Sequence, residues 1–552
     1  MAQIELKMQD GKSIFTNNGD TIYDVINSNN LSSEIPIVLA CINKNYYELT
    51  SHINESGLFR TIDITEDIGL KVYLRTLQFV LICAVLNIFP KATVTIEHSL
   101  GHSIFGEINK EVGLNSDDIK EIKSEMISLI NRDIPIKKIK VSKKAAVDIF
   151  VKYKMQDKVR LLKYVNSREV KLYELDGRYD YFYGLMAYST GILKTFDLQK
   201  YKSGFILEHP SIEKPFEVSR FIEHKKLSNI FVETERWGNI LGIDDVGSLN
   251  DKVMDGDIVN IVRVAEALHE KKIANIADMI NEKKDVKIVL IAGPTSSGKT
   301  TFSNRLGIQL RVNGLMPVPI SLDDYFINRE ETPLGEDGNY NFETLDALDY
   351  KLFNLNLKSL LKGEEVDLPL YNFKEGKREK IGHKIKLPQN GIIIVEGIHG
   401  LNEVLTSSIA DKNKFKIYIS ALTQLNLDNH NRIATTDVRI LRRIVRDYLS
   451  RGYGGEDTLK MWPSIRRGEE KNIFVYQENA DVMFNSALIY ELCILKKYAL
   501  TELNKINPSS SVYNEALRLK SFLNYFKDVD MNVIPGNSIL REFTGGSCFY
   551  EY

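Results

Sequence analysis

The 552 residues are 43% hydrophobic, 26% charged and 9% aromatic, with 34 Gly and 14 Pro, a composition that excludes disordered, collagen-like and disulfide-scaffold chains. At ~100–200 residues per domain the length predicts about three to five domains. With 72 Lys and Arg against 74 Asp and Glu the net charge is -2, so no overall field draws the chain to nucleic acid or to an anionic membrane.

Cys41, Cys83, Cys493 and Cys548 stand far apart without CxxC spacing, which argues against a zinc knuckle or a disulfide framework and for a reducing, cytoplasmic setting. The opening MAQIELKMQDGKS lacks the charged and apolar regions of a signal peptide, and no uninterrupted apolar run reaches the ~18 residues of a membrane span. A soluble protein with no membrane partner is expected.

In chain order, residues 1–62 alternate short strands (IELKM, SIFT, IVLACIN, TIDI) with one helical stretch, GDTIYDVINS, a small α+β module. From Gly69 a long apolar helix runs to Pro90, followed by the strand ATVTIEH and the helix SDDIKEIKSEMISLINR, which opens a second α+β domain over 63–205. Lys137, Lys138, Lys140, Lys143 and Lys144 are read as the solvated face of a strand and helix start, with an RNA contact as the sharper alternative. His98 and His102 lie in HSLGH, whose Gly favours a loop over a metal site. Residues 206–280 end in a helix rich in i, i+4 charge pairs, expected to be an exposed connector.

The second half is α/β. KIVLIA, PVPISL, GIIIVEG and KFKIYIS are short strands between helical stretches, the alternation of a parallel sheet with crossover helices. KIVLIA runs into Gly293, Pro294, Thr295, Ser296, Ser297, Gly298, Lys299 and Thr300, then a helix. This is GxxxxGK[ST] in strand-loop-helix context, where glycines let backbone N–H groups wrap a phosphate and the helix N-terminus adds its dipole. Lys299 is expected to reach the β- and γ-phosphates and Thr300 to ligate Mg²⁺. Asp323 and Asp324 end the next strand, each a candidate base for an attacking hydroxyl or a turn residue. Glu396 ends the third strand as a candidate Mg²⁺ ligand, and His399 reads as a packing residue. Arg439, Arg442, Arg443, Arg446 and Arg451 recur at near-helical spacing, either as the solvated face of a helix or, as the sharper reading, as an arginine lid over ATP, since guanidinium groups suit phosphate oxygens.

These residues resemble the uridine kinase and phosphoribulokinase family of P-loop kinases over about 281–490. GPTSSGKTT, which adds Thr301 to the nucleotide loop, is similar to the family's phosphate loop, ISLDDYF to its second-strand acidic motif and NFETLDALD to its substrate motif. PLYNFKEGKR is similar to the base-pocket segment, IIIVEGI to the metal-carboxylate strand and DVRILRRIVRD to the arginine lid. The resemblance implies ATP and Mg²⁺ as cofactors, Asp323 as general base, Thr300 and Glu396 as Mg²⁺ ligands, and Arg439, Arg442 and Arg443 as substrate and phosphate contacts. Glu343 and Tyr371 are the implied acceptor contacts. Glu343 replaces the family's ribose-binding aspartate, and Gly376 stands where its pyrimidine-contacting histidine belongs, so the site discriminates poorly by that contact.

Residues 1–62 resemble a TGS domain, which is ubiquitin-like, and 63–205 resemble the editing-type second domain of threonyl-tRNA synthetases. Arg75, Phe79, Phe182 and Met186 stand where that site has His, His, Cys and His, so this half is expected to be non-catalytic. Residues 491–552 form a helical extension expected to pack on the kinase sheet or a sister subunit in a homo-oligomer. There Arg541 and Gly545-Gly546-Ser547 either approach a phosphate or cap the fold. The expected fold is thus multidomain α/β and α+β, with a C-terminal P-loop kinase. The expected activity is ATP- and Mg²⁺-dependent phosphorylation of a nucleoside 5′-hydroxyl, uridine- or cytidine-like. The rivals are a kinase of a sugar phosphate and a nucleotide-dependent tRNA- or RNA-binding regulator.

Overall fold

Five short apolar runs, Ile288–Ala292 (β1), Met316–Ser321 (β2), Gly391–Glu396 (β3), Lys414–Ser420 (β4) and Val482–Asn485 (β5), pair in parallel in the order β2-β3-β1-β4-β5. All five residues of β1 are buried, as expected of a central parallel strand covered on both faces. The order reverses beside β1, and such a switch point opens a crevice at the carboxyl ends of the strands. Ile288, Leu290, Ile320, Ile393 and Val395 fill one side of the sheet with Phe353, Leu357 and Leu360 from the helix Tyr350–Leu361.

This sheet is seen in a computed structural model that describes residues 3–31, 33–335, 338–373, 375–379, 382–423 and 425–550. The chain divides into two compact units: Met1–His224 with Asp244–Ser248 and Leu425–Arg432, and Lys225–Ile243 with Leu249–Gln424 and Ile433–Tyr552. The sheet lies in the second. So does the helix Ile258–Glu282, whose charge pairs suggest an exposed connector. Its other face is apolar and buried through Ile261, Val262, Ile273 and Ile276. It packs on the helix Lys299–Val312 (α1), where the buried Arg305 pairs with Glu266 at 3.3 Å and Glu270 at 2.7 Å.

In the first unit, Gln3–Met8, Ser13–Asn17, Ile37–Ile42, Asn45–Glu48 and Gly57–Asp63 form a five-stranded sheet. One helix, Ile22–Ser28, accompanies it, started by a capping box between Thr21 and Asp24. Two antiparallel sheets of three and four strands follow. Among the described residues Asp67–Ile88 is the one helix long and apolar enough to cross a membrane, and 72% of its apolar window is buried. It packs Leu77, Leu81 and Val85 into the same core as Ile119, Ile122 and Met126. The strand reading of ATVTIEH extends through Leu100, so His98 lies on a hairpin strand and His102 in its turn. Lys137, Lys138 and Lys140 pair with Glu174, Glu48 and Glu169 at 3.2, 2.8 and 2.5 Å, which neutralises much of the lysine-rich strand.

Candidate active site

The loop leaving β1 is shaped by close approach. A Cβ on Gly293 would lie 2.0 Å from Ile419 O of β4, so only glycine lets the chain turn out between the two strands. Ser296 and Gly298 then take φ values of 57° and 85°, turns of the kind that aim successive N–H groups into one concavity. Lys299 opens α1, and its Nζ donates to Gly293 O at 3.0 Å and Pro294 O at 3.1 Å. Burial draws the Lys299 pKa down, opposed by the carboxylates of Glu396, Asp323 and Glu542.

Strand register brings the acids to this loop. Glu396, the last residue of β3, pairs with Ile291 of β1 on one side and Ser321 of β2 on the other. Its Oε1 accepts from Thr300 Oγ1 at 3.3 Å and Ser321 Oγ at 3.4 Å. Burial, with Asp323 nearby, pushes its pKa up to about 7. The Ser321 hydroxyl also accepts from Asp323 N at 3.3 Å, starting the 3₁₀ turn Leu322–Tyr325 that contains both aspartates. Asp323 acts electrostatically on Lys299 and Glu396. Asp324 accepts from Tyr371 N at 3.4 Å, and burial raises its pKa to about 6.

Among the described residues no group of three or more His, Cys, Asp or Glu is arranged to hold a metal. Thr300 and Glu396 offer hard oxygens beside the phosphate loop, the donor type that suits Mg²⁺ completing its shell with phosphate and water. His399 is buried just beyond β3, and burial lowers its pKa to about 4.

The arginines lie on the helix Thr435–Arg446 (α2), whose last turn passes into a single π turn, Asp447–Arg451, closed by Gly452 at φ 73°. Arg439 and Arg442 are wholly enclosed. Arg439 donates to Thr295 O at 3.1 Å and pairs with Glu469 of the helix Gly455–Asn472 (α3). Arg442 pairs with Glu491 and donates to Ser486 O at 2.8 Å and Ser296 O at 3.4 Å. Where resemblance implies substrate contacts, these two guanidinium groups hold the backbone of the phosphate loop. Arg443 donates to Thr295 Oγ1 at 2.8 Å and, with Arg446, flanks the buried Asp447 at 3.0 Å. Arg451 lies over the Phe373 ring at 5.3 Å. Its pKa is drawn down to about 10, chiefly by the like charge of Arg446.

On the acceptor side, Glu343 packs so tightly on α3 that a Cβ on Gly468 would lie 2.3 Å from its own Cβ. Its Oε2 is buried with no hydrogen-bond partner among the described residues, and burial, reinforced by Glu469, raises its pKa to about 7. Tyr371 is buried between Phe326 and Phe373, at 5.7 and 5.1 Å between ring centroids. Lys374, within the same motif, lies outside the described residues. Gly376 has φ 71°, and a Cβ there would stand 2.6 Å from Arg329 Nε. Arg329 therefore fills the space beside this glycine, and its NH2 donates to Phe373 O at 2.9 Å.

The sequence reading passed over Glu469 and Glu491, the carboxylates that anchor the lid arginines. Both sit in helices after the arginine stripe: Glu469 lies in the charged run RRGEEKN, where it looks like any solvated residue, and Glu491 is a lone charge in an apolar run, SALIYELCIL, whose partner no local pattern names.

Residues 288–489 match the model of the phosphoribulokinase/uridine kinase family. A uridine kinase of Halobacterium salinarum is 26% identical over 194 residues, 35% of this chain and 77% of that protein. Those of Macrococcus caseolyticus and Borrelia duttonii are each 31% identical, over 180 residues (33% and 78%) and 226 residues (40% and 98%). With a parallel sheet that carries the phosphate loop at its switch point, and with nearly the full length of such a relative contained in it, this chain belongs to the phosphoribulokinase/uridine kinase family and is a P-loop kinase of the nucleoside and nucleotide type.

Proposed function

We propose that the second unit transfers the γ-phosphoryl group of ATP to the 5′-hydroxyl of a nucleoside, uridine- or cytidine-like. The observation that carries this reading is the convergence of Lys299, Thr300, Asp323 and Glu396 at the carboxyl ends of β1, β2 and β3, with Thr300 Oγ1 3.3 Å from Glu396 Oε1. The loop N–H groups and Lys299 bind the phosphates. Thr300 and Glu396 hold Mg²⁺, which supplies charge neutralisation on the phosphates when bound. Asp323 accepts the hydroxyl proton, and Asp324, held by Tyr371 N, stays out of that role. Arg443, Arg446 and Arg451 place positive charge where the transferring group needs it, while Arg439 and Arg442 keep the loop in shape. Glu343 and Tyr371 face the sugar and base.

The test is ADP release by the full chain with ATP and Mg²⁺ against nucleosides and sugar phosphates, with Lys299→Ala as blank. Turnover with nucleosides supports the reading. Turnover with sugar phosphates alone replaces the acceptor, and ATP binding without any stimulated turnover moves the protein to the regulatory class.

For the first unit we propose a TGS-like module over 1–62 and a degenerate synthetase-like domain over 63–205. Supporting the first is the strand order of the five-stranded sheet, in which the first and last strands pair in parallel at its centre. Supporting the second is the meeting of its two motif segments, Phe79 lying 5.0 Å from Phe182 between ring centroids. Phenyl rings neither ligate a cation nor activate water, so no reaction is assigned to this unit.

A further inference from the structure

The segment around Arg541, left open between phosphate contact and fold cap, lies directly on the nucleotide loop, though Arg541 itself turns away from it. Its NH2 donates to Ile534 O at 2.7 Å and Met531 O at 3.1 Å, and its NH1 to Gly545 O at 3.4 Å. The residue that reaches the loop is its neighbour. Glu542 Oε2 accepts from Thr301 N at 3.0 Å, in the first turn of α1. That turn receives no cap from its own N-cap, Gly298, which has no side chain. The carboxylate comes instead from 241 positions further along the chain.

Three further contacts bring the segment onto the loop, the start of α1 and the arginine that holds the loop. Tyr550 OH lies 2.7 Å from Thr301 Oγ1. Ile539 covers Gly298 so closely that a Cβ there would be 2.4 Å from its Cγ2. Phe543 lies under the Arg442 guanidinium at 4.9 Å, and Arg442 in turn holds Ser296 O. Thr301 is consequently wholly buried, whereas its neighbour Thr300 is exposed.

An unsatisfied helix N-terminus binds one oxyanion at a time, and a carboxylate and a phosphate compete for the same N–H groups. We propose that Ile539–Tyr550 is a built-in plug of the nucleotide site, in which the Glu542 carboxylate occupies the anion-binding N–H of Thr301, and that a nucleoside triphosphate binds by displacing it. The inference rests on the nucleotide-binding reading of the loop. Affinity for ATP is then reduced by the fraction of molecules with the plug in place, so loosening the plug raises it. A permanent wall of the site behaves oppositely: cutting its contacts loosens the loop and weakens binding.

Cys548 lies within the segment and is exposed, while Cys41, Cys83 and Cys493 are buried, so a thiol-reactive, environment-sensitive fluorophore marks the plug selectively. The experiment titrates ATP into the full-length protein, its Glu542→Gln variant and its Tyr550→Phe variant, following binding calorimetrically and the probe optically. The inference expects each variant to bind ATP more tightly, by about tenfold for Glu542→Gln, which loses the charged hydrogen bond, and by roughly threefold for Tyr550→Phe, which loses a neutral one. It also expects the wild-type probe signal to change along the binding curve. Equal or weaker ATP binding by both variants, or a probe signal that ignores bound ATP, overturns the plug and leaves nucleotide binding standing. Absence of ATP binding by all three overturns the nucleotide reading and the plug with it. Should Glu542→Gln fold poorly, Tyr550→Phe, which removes one oxygen, decides alone.

Discussion

Arg439 and Glu469, each no more than 1% exposed, form an ion pair that grips both backbone groups of one residue of the phosphate loop: Thr295 N donates to Glu469 Oε1 at 2.9 Å and Thr295 O accepts from Arg439 Nε at 3.1 Å. The two helices α2 and α3 thereby fix the middle of the loop as a neighbouring strand would. Removing one partner strands a buried charge, so Glu469→Ala is expected to destabilise the second unit by roughly 3–5 kcal/mol. Its ATP affinity should fall about tenfold or more as the loop loses its grip. The double variant Arg439→Met, Glu469→Leu should recover most of the unfolding midpoint and little of the affinity. Recovery of both would mean that the pair serves packing alone.

Asp323 and Asp324 are adjacent in sequence and differ in what they touch. Asp323→Asn is expected to lower kcat by about 10²–10⁴, the usual worth of a general base, with ATP affinity within about twofold of wild type. Asp324→Asn, which keeps an acceptor for Tyr371 N, should lower kcat far less. Single-turnover kinetics on both variants checks this, and a reversed order would move the base to Asp324.

The loop, the two acids and the arginine helix were legible in the sequence because each is a local pattern: a spacing, a strand end, a 3.6-residue stripe. The functions of individual arginines were not. Whether a guanidinium reaches a ligand or a carboxylate depends on Glu469 and Glu491, which arrive from other helices. The same limit hid the membership of Leu425–Arg432 in the first unit. Its cause is tertiary, since the buried Lys158 pairs with Asp428 at 2.8 Å and Asp180 at 3.0 Å, and His430 Nδ1 lies 2.6 Å from Asp180. No periodicity marks an eight-residue excursion stabilised by charges so distant in the chain.

Glu343 carries a pH prediction. Its folded pKa of about 7 lies above the ordinary 4.5, so the native state holds its proton more tightly than the unfolded chain. The stability this contributes is fully present below about pH 4.5 and is lost as pH rises through about 7. Glu343→Gln stays neutral throughout and should overtake the wild type in Tm between pH 5 and 8, by roughly 2–4 °C at the upper end. If the ionised carboxylate holds the acceptor's sugar hydroxyls, wild-type acceptor KM should fall across the same window and the variant's should stay flat. A Tm difference that does not change with pH would show that Glu343 is ionised throughout.

Gly376 and Arg329 should be coupled. With φ 71° and the guanidinium 2.6 Å from where a Cβ would stand, Gly376→Ala meets both backbone strain and a clash, although the clashing atoms end a flexible side chain. The strain alone costs roughly 1 kcal/mol, and moving Arg329 releases its bond to Phe373 O and unsettles the aromatic shelf that holds Tyr371. The expected result is a several-fold rise in acceptor KM with ATP KM unchanged. Arg329→Ala removes the clash and leaves the strain, so the double variant should lie closer to Arg329→Ala than additivity predicts, with a coupling of about 0.5–3 kcal/mol. Additive effects on acceptor KM would show that the glycine is required for its backbone angle alone, and that the arginine beside it does not shape the pocket.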